Sequence, residues 1–203
     1  MVQLITIVSY NPDWPRWFVC EKRRLMAALG DRVLAIEHIG STAIPEMDAK
    51  AIIDIMAAVR SLKVALNWVA ELEHIGYEPR PDLGHLLPNR LFFEKGPSEA
   101  RQFHLHLLEQ GSELWENHLE FRDYLRGHAD QAAAYGRLKR RLASELGHDR
   151  HAYSTAKRDF VEGIVRLARL ERDLDISPRV GTSCRSARSD RSRVRYRRPL
   201  WGE

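Results

Sequence analysis

Apolar and polar positions along this chain follow two periods, and the switch between them divides it. The run Leu4–Val8 reads as a short strand ahead of Asn11-Pro12. From Asp13, with Pro15 in the first turn, a helical pattern runs to Leu29 and stops at Gly30, which predicts a helix capped by Asp13. Val33 to Ile39 is rich in β-branched residues and ends at Gly40, the pattern of a strand delivering a turn. Ala51 to Val59 is apolar at every position but one, which suits a strand covered on both faces. Ser61 caps a predicted helix through Ile75, closed by Gly76. After a loop from Pro79 to Pro88, Leu91–Lys95 and Gln102–Leu108 form a predicted hairpin through Gly96-Pro97-Ser98. Three helices then follow, Ser112–Arg126, His128–Leu146 and Ser154–Leu170. Trp14, Trp17, Trp68 and Trp115 are assigned to core or helix packing. The fold class is therefore α/β (α+β), a mixed sheet flanked by helices and followed by a helical half from about residue 112.

Composition narrows the class. A chain of 203 residues, 44% apolar and 30% charged, is long enough for one domain with a real core. No run approaches the roughly 18 uncharged apolar residues of a membrane span, so a cytoplasmic location is expected and no membrane contact. Cys20 and Cys184 make neither a disulfide framework nor a zinc site. From Ile176 to Glu203 eight arginines face Asp190 and Glu203, so this tail carries +6 while the first 175 residues carry −2. Its Ser, Gly, Pro and Arg content predicts a disordered tail over 176–203, open to weak nucleic-acid contact, after a folded domain over 1–175.

The chemistry concentrates around Asp54. A lone carboxylate inside Ala51–Val59 costs roughly several kcal/mol unless it is hydrogen-bonded, paired or bound to a cation. Twelve residues before it ends the turn Gly40-Ser41-Thr42, whose free backbone and hydroxyls suit phosphate, and Lys50 between them supplies a point charge. The functional reading makes Asp54 a magnesium ligand; the plain one makes it a satisfied buried aspartate. His104 and His106 lie two apart on a predicted strand and share a face, where they can serve as general base, phosphate donor or metal ligand, or simply meet solvent. Of Glu37 and His38 only one can face the site, and His38 is read as pointing away. Arg90 and Lys95 bracket the Leu91–Phe93 strand and offer cations to a triphosphate of about four negative charges. Arg122, Tyr135, Lys139, Tyr153 and Lys157 are read as surface or helix-packing residues.

The strings Glu37-His38-Ile39-Gly40-Ser41-Thr42-Ala43-Ile44-Pro45, Ala49-Lys50-Ala51-Ile52-Ile53-Asp54-Ile55, Phe103-His104-Leu105-His106, Phe121-Arg122-Asp123-Tyr124-Leu125-Arg126 and Tyr153-Ser154-Thr155-Ala156-Lys157 resemble the GrpB family in order and content, over roughly residues 5 to 170. GrpB-like proteins are similar in fold to the nucleotidyltransferases, and in some bacteria such a domain is fused to dephospho-CoA kinase. The resemblance implies a Gly40-Ser41 turn cradling phosphates and Asp54 holding magnesium, with Lys50, His104 and His106 as residues of the GrpB motifs. Two departures stand out. Nucleotidyltransferases usually carry two carboxylates one residue apart, whereas Ile52 and Met56 hold those places here, so either a histidine or Glu109 completes a two-metal site, or only one metal binds, or catalysis is lost and nucleotide binding remains. Glu46-Met47 also stands where the family more often shows glycine-leucine.

The leading expectation is a magnesium-dependent nucleotidyltransferase with a nucleoside triphosphate as donor and an unknown small-molecule or protein acceptor. Its rivals are a non-catalytic module for a nucleotide or a CoA-type ligand, and an interaction protein whose tail meets nucleic acid.

Overall fold

A computed structural model describes residues 4–176 apart from 85, 86, 88 and 99. Five strands, β1 (Ala35–Ile39), β2 (Ile53–Val59), β3 (Tyr77–Pro79), β4 (Leu91–Lys95) and β5 (Phe103–Glu109), form one sheet in the order β1-β2-β5-β4-β3. The sheet is mixed: β2 and β5 run parallel, while β1–β2, β4–β5 and β3–β4 are antiparallel. β2 lies inside the sheet with both faces covered, as its nearly unbroken apolar run requires.

One face packs against α1 (Trp14–Leu29) and the short α2 (Leu62–Ala65) and α3 (Val69–His74). Trp14, Leu25, Ile36, Ile53, Ile55, Leu105, Leu107, Phe93 and Leu72 make the main core there. The other face carries a smaller apolar cluster, Ile39, Met56, Ala58, Leu108 and Trp115, closed by α4 (Glu113–Gly127). Beyond it, α4 packs with α5 (Ala129–Leu146) and α7 (Arg158–Ile176) around Phe121, Leu125, Tyr135 and Ile164, and α6 (Arg150–Ala156) packs on α5 and α7.

Several local expectations are corrected. Leu4–Val8 makes no strand: Val8 forms a single bridge with Ala49, and Ile5 instead packs with Leu142 and Tyr153. The helix from Ser61 is broken by a 3₁₀ turn at Leu66–Trp68, around Asn67 and the β-branched Val64 and Val69, poor helix formers all. The last helix starts earlier and breaks at Lys157. The Asp13 side chain caps nothing; the Asn11 side chain accepts from the Asp13 amide instead. Trp14, Trp68 and Trp115 are buried, but Trp17 is 42% exposed on the outer side of α1. No helix among the described residues is long and apolar enough to cross a membrane. The Arg-rich tail and Cys184 lie outside the described residues.

Candidate functional site

Parity along three strands builds the site. Asp54 on β2 pairs in register with His104 on β5, which pairs with Glu94 on β4; one step along, Met56, His106 and Phe92 repeat the row. All six point to the α4 side of the sheet. Asp54 Oδ1 accepts a hydrogen bond from His104 Nδ1 at 3.0 Å. Burial pushes the Asp54 carboxyl up, yet the His104 bond and the fields of His104, His106 and Lys50 outweigh it and hold the group below the ordinary aspartate range. Asp54 thus stays ionised while only 30% exposed.

The turn after β1 closes onto this carboxylate. Gly40 has φ +69°, and a Cβ there would stand 2.5 Å from Asp54 Oδ2, so glycine is required by conformation and contact together. Thr42 Oγ1 donates to the Ile52 carbonyl at 3.2 Å and accepts from His38 Nε2 at 3.0 Å. That geometry places the His38 proton on Nε2, and burial, against Asp54, brings His38 down to about 4, so the ring is neutral. His38 stacks on Phe18 of α1, away from the site, as read from the sequence. The Thr42 hydroxyl is therefore committed to the turn. Ser41 lies within bonding reach of Tyr135.

These residues floor a cleft of about 450 Å³ between the sheet and the helical half. Its walls are cationic. Lys50 Nζ and Lys157 Nζ lie 5.0 and 4.4 Å from the centre of the Tyr153 ring, and Lys139 Nζ donates to the Asp48 carbonyl, 4.8 Å from the Tyr135 ring. Arg150 adds a fourth positive side chain. Burial lowers all three lysines: Lys139 to about 7, with Lys157 adding repulsion, and Lys157 to about 8, with Lys50 adding repulsion against the pull of Asp54. Asp149 caps α6 by accepting from the His151 and Ala152 amides, and the break at Lys157 lets its side chain return over Tyr153.

At the far end of the row, His106 Nδ1 accepts from Arg90 Nη1 at 3.3 Å, which puts the imidazole proton on Nε2. Burial drives His106 well below the usual histidine range. His118 of α4 lies 6.2 Å from His106, ring centre to ring centre, and burial brings it to about 4. Neither strand histidine offers an open lone pair to a ligand: His104 Nε2 is sealed from solvent and His106 Nδ1 is taken.

Among the described residues no group of three or more His, Cys, Asp or Glu is arranged to hold a metal ion. Glu94 is claimed by Arg80 and Arg101. Glu109 does not complete the site either, because its Oε1 accepts from the Leu62 amide at the start of α2. Two metals clamped by protein carboxylates do not fit. One magnesium does, since that ion is commonly held by one or two carboxylates together with ligand phosphates and water, and Asp54 is the ionised carboxylate available.

Of the residues singled out in the sequence, Ser41, Thr42, Lys50, Asp54, Arg90, His104 and His106 line this one cleft, and Gly40 packs on Asp54 from the adjoining pocket. Lys95 does not join them. It shares the parity of Phe93, faces α1, and pairs with the buried Glu21 at 2.5 Å. Glu94, His118, Lys139, Arg150 and Lys157 join the site although the sequence pattern did not mark them for it. Glu94 carried the same signal as Asp54, a carboxylate in an apolar strand. Tyr153 and Lys157, read as packing residues, lie four apart in the last of the quoted strings and meet on one side of the cleft.

Comparison with known proteins converges on the same segment. The family described as GrpB protein matches residues 4–166. UPF0157 protein YqkA of Bacillus subtilis is 38% identical over 158 residues, 78% of this chain and 45% of its own length, so the chain spans under half of that relative. The crystal structure of conserved protein GrpB from Enterococcus faecalis superposes with a TM-score of 0.74 at 33% identity, covering 82% of this chain and 99% of that one. A looser overlap, with a TM-score of 0.46 at 12% identity, covers 68% of this chain and 43% of Cid1 in complex with a UTP analogue, and bears no weight on chemistry.

Proposed function

This chain belongs to the GrpB family, and from that premise we propose that its cleft binds a nucleoside triphosphate with magnesium and transfers a nucleotidyl group to an acceptor. One observation carries the reading: Lys50, Lys139 and Lys157 converge on a cleft whose floor holds the ionised carboxylate of Asp54. Three lysines gathered round one aspartate are partly discharged by burial and mutual repulsion, and a polyphosphate is the ligand that would charge and balance them. The lysines and the Ser41 turn hold the phosphates, and His104 orients Asp54 through its 3.0 Å bond. Magnesium, when bound, offsets charge on the phosphate oxygens, with Asp54 as its protein ligand. An acceptor oxygen bonds to the α-phosphorus, the bond to pyrophosphate breaks, and the acceptor proton leaves to water at the mouth of the cleft.

The lack of a second carboxylate beside Asp54 favours one rival, a module that binds the nucleotide without transfer. Calorimetric titration with each nucleoside triphosphate, with and without magnesium, tests the binding. Incubation with labelled nucleotide, followed by separation of pyrophosphate, tests the transfer. Binding that requires magnesium and weakens at least about tenfold in Asp54→Asn, a loss of roughly 1.4 kcal/mol, is expected. Magnesium-dependent binding left intact in Asp54→Asn overturns the metal assignment, and tight binding with no pyrophosphate released supports the module.

A further inference from the structure

Among the described residues, Arg90 Nε and His118 Nε2 are buried at the cleft with no hydrogen-bond partner; His104 Nε2 is unpartnered too, but with the ring proton on Nδ1 toward Asp54 it is an acceptor. A buried polar group left unpaired costs about 1–3 kcal/mol, so their coincidence marks a place where something else binds. The His104 nitrogen has Glu94 Oε1 at 3.6 Å, whereas Arg90 lies near enough to both His106 and His118 for its charge to add to the lowering that burial causes in each. Burial alone pulls the Arg90 guanidinium below its usual range, with no carboxylate pairing it among the described residues. His106, its Nδ1 taken by Arg90, presents Nε2–H as a donor. A cation is excluded from this corner by the guanidinium. An oxyanion suits it.

The corner is separate from the lysine group. Register puts His106 two residues beyond His104 along β5, roughly 7 Å at the usual rise of a strand, and opposite Met56 on β2. Lys50 precedes the start of β2. Arg90 and Lys50 therefore flank Asp54 from opposite ends of the cleft. We infer that Arg90, His106 and His118 form a second anion seat that holds a carboxylate or phosphate of the acceptor, so that the acceptor is an acid and not a neutral alcohol. This rests on the nucleotidyl-transfer reading for the word acceptor, and on the orphaned nitrogens for the seat.

The test uses the full chain and follows the imidazole nitrogen resonances of His106 and His118 by NMR while inorganic phosphate and, separately, acetate are added. At least one anion should move both resonances in a saturable way, and the tighter of the two names the acid class. Arg90→Gln should weaken that response at least tenfold; if it does not fold, His118→Asn should weaken the response of His106 by several-fold. Asp54→Asn, which tests the nucleotide reading, should leave the response in place, so each idea can fail without the other. Resonances unmoved by either anion overturn the seat. So does a variant of Arg90 that loses magnesium-nucleotide binding in step with the anion response, which would make the corner part of the triphosphate cradle.

Discussion

The two faces of the sheet treat charge in opposite ways. Toward α1, buried charge is satisfied within the fold: Glu21, 1% exposed, meets Lys95 at 2.5 Å and Arg24 at 3.5 Å, and the Lys95 ammonium also lies 5.2 Å from the Tyr77 ring. Toward α4, Glu94 is paired with Arg80 and Arg101, but Asp54 is hydrogen-bonded by a histidine with the fields of His106 and Lys50 beside it, the lysines stand among one another, and among the described residues three cleft nitrogens lack hydrogen-bond partners. Charge that is satisfied within the fold serves the fold. Charge left unsatisfied serves whatever enters the cleft, so substitutions on the first face are expected to cost stability and those on the second to cost binding.

The sharpest contrast should come from Lys95→Met. It removes the nearer of two cations from the Glu21 carboxylate, leaving Arg24 at 3.5 Å, and breaking a buried pair costs up to about 3–5 kcal/mol, to be read as a shift of the urea midpoint at unchanged slope. Adding Glu21→Gln should recover most of that loss, and nucleotide binding by the folded fraction should be unchanged. A loss under about 1 kcal/mol would break the comparison on the sealed side.

Gly40→Ala tests the junction of the two. A side chain at φ +69° costs about 1–2 kcal/mol, and its Cβ meets Asp54 Oδ2 at 2.5 Å, so stability and magnesium-nucleotide affinity should fall together. Asp54→Asn keeps an acceptor for His104, and should move stability by no more than about 1 kcal/mol while removing the metal ligand.

The lysines make a prediction in pH. Lys139 and Lys157 titrate at about 7 and about 8 in the free fold, whereas an unfolded lysine titrates near about 10.4. Between those values the unfolded chain binds more protons, so stability should rise with pH from about 7 to about 10. A polyphosphate prefers the protonated lysines, so its affinity should fall over the same range, by at most about tenfold per pH unit for each lysine. Lys157→Gln should flatten that slope. A nucleotide affinity that is level from pH 7 to 9 would remove the lysines from the ligand.

The smallest effect expected is that of Ser112→Ala. The Ser112 hydroxyl accepts from the Trp115 amide at the start of α4, and losing such a cap costs about 1 kcal/mol. Thermal unfolding should register it with no change in binding, since Ser112 lies outside the cleft.

What could be read without coordinates follows from short-range rules. Strand parity already put His104 and His106 on one face, and the hairpin at Gly96-Pro97-Ser98 appears as β4 and β5. A single carboxylate in an apolar run already asked for a partner, and His104 provides one. Parity does not say which face of β4 looks into the cleft, and the fold turns Glu94 toward it and Lys95 toward α1. Helical spacing could not separate packing residues from cleft residues either. Tyr153 does both, sitting 1% exposed beneath two lysines.

The sequence by itself determined the strand and helix periods, the glycine turn before Asp54 and the family, because each depends on residues adjacent in the chain or one period apart. Only the tertiary structure decided that Lys139 and Lys157 join Lys50 at one cleft, that Glu109 caps a helix, and that Arg90 has no carboxylate partner among the described residues. The lysine arrangement turns on how α5, α6 and α7 settle on the sheet, and the other two on which strands the sheet brings side by side, matters of packed volume and desolvation that no local spacing encodes.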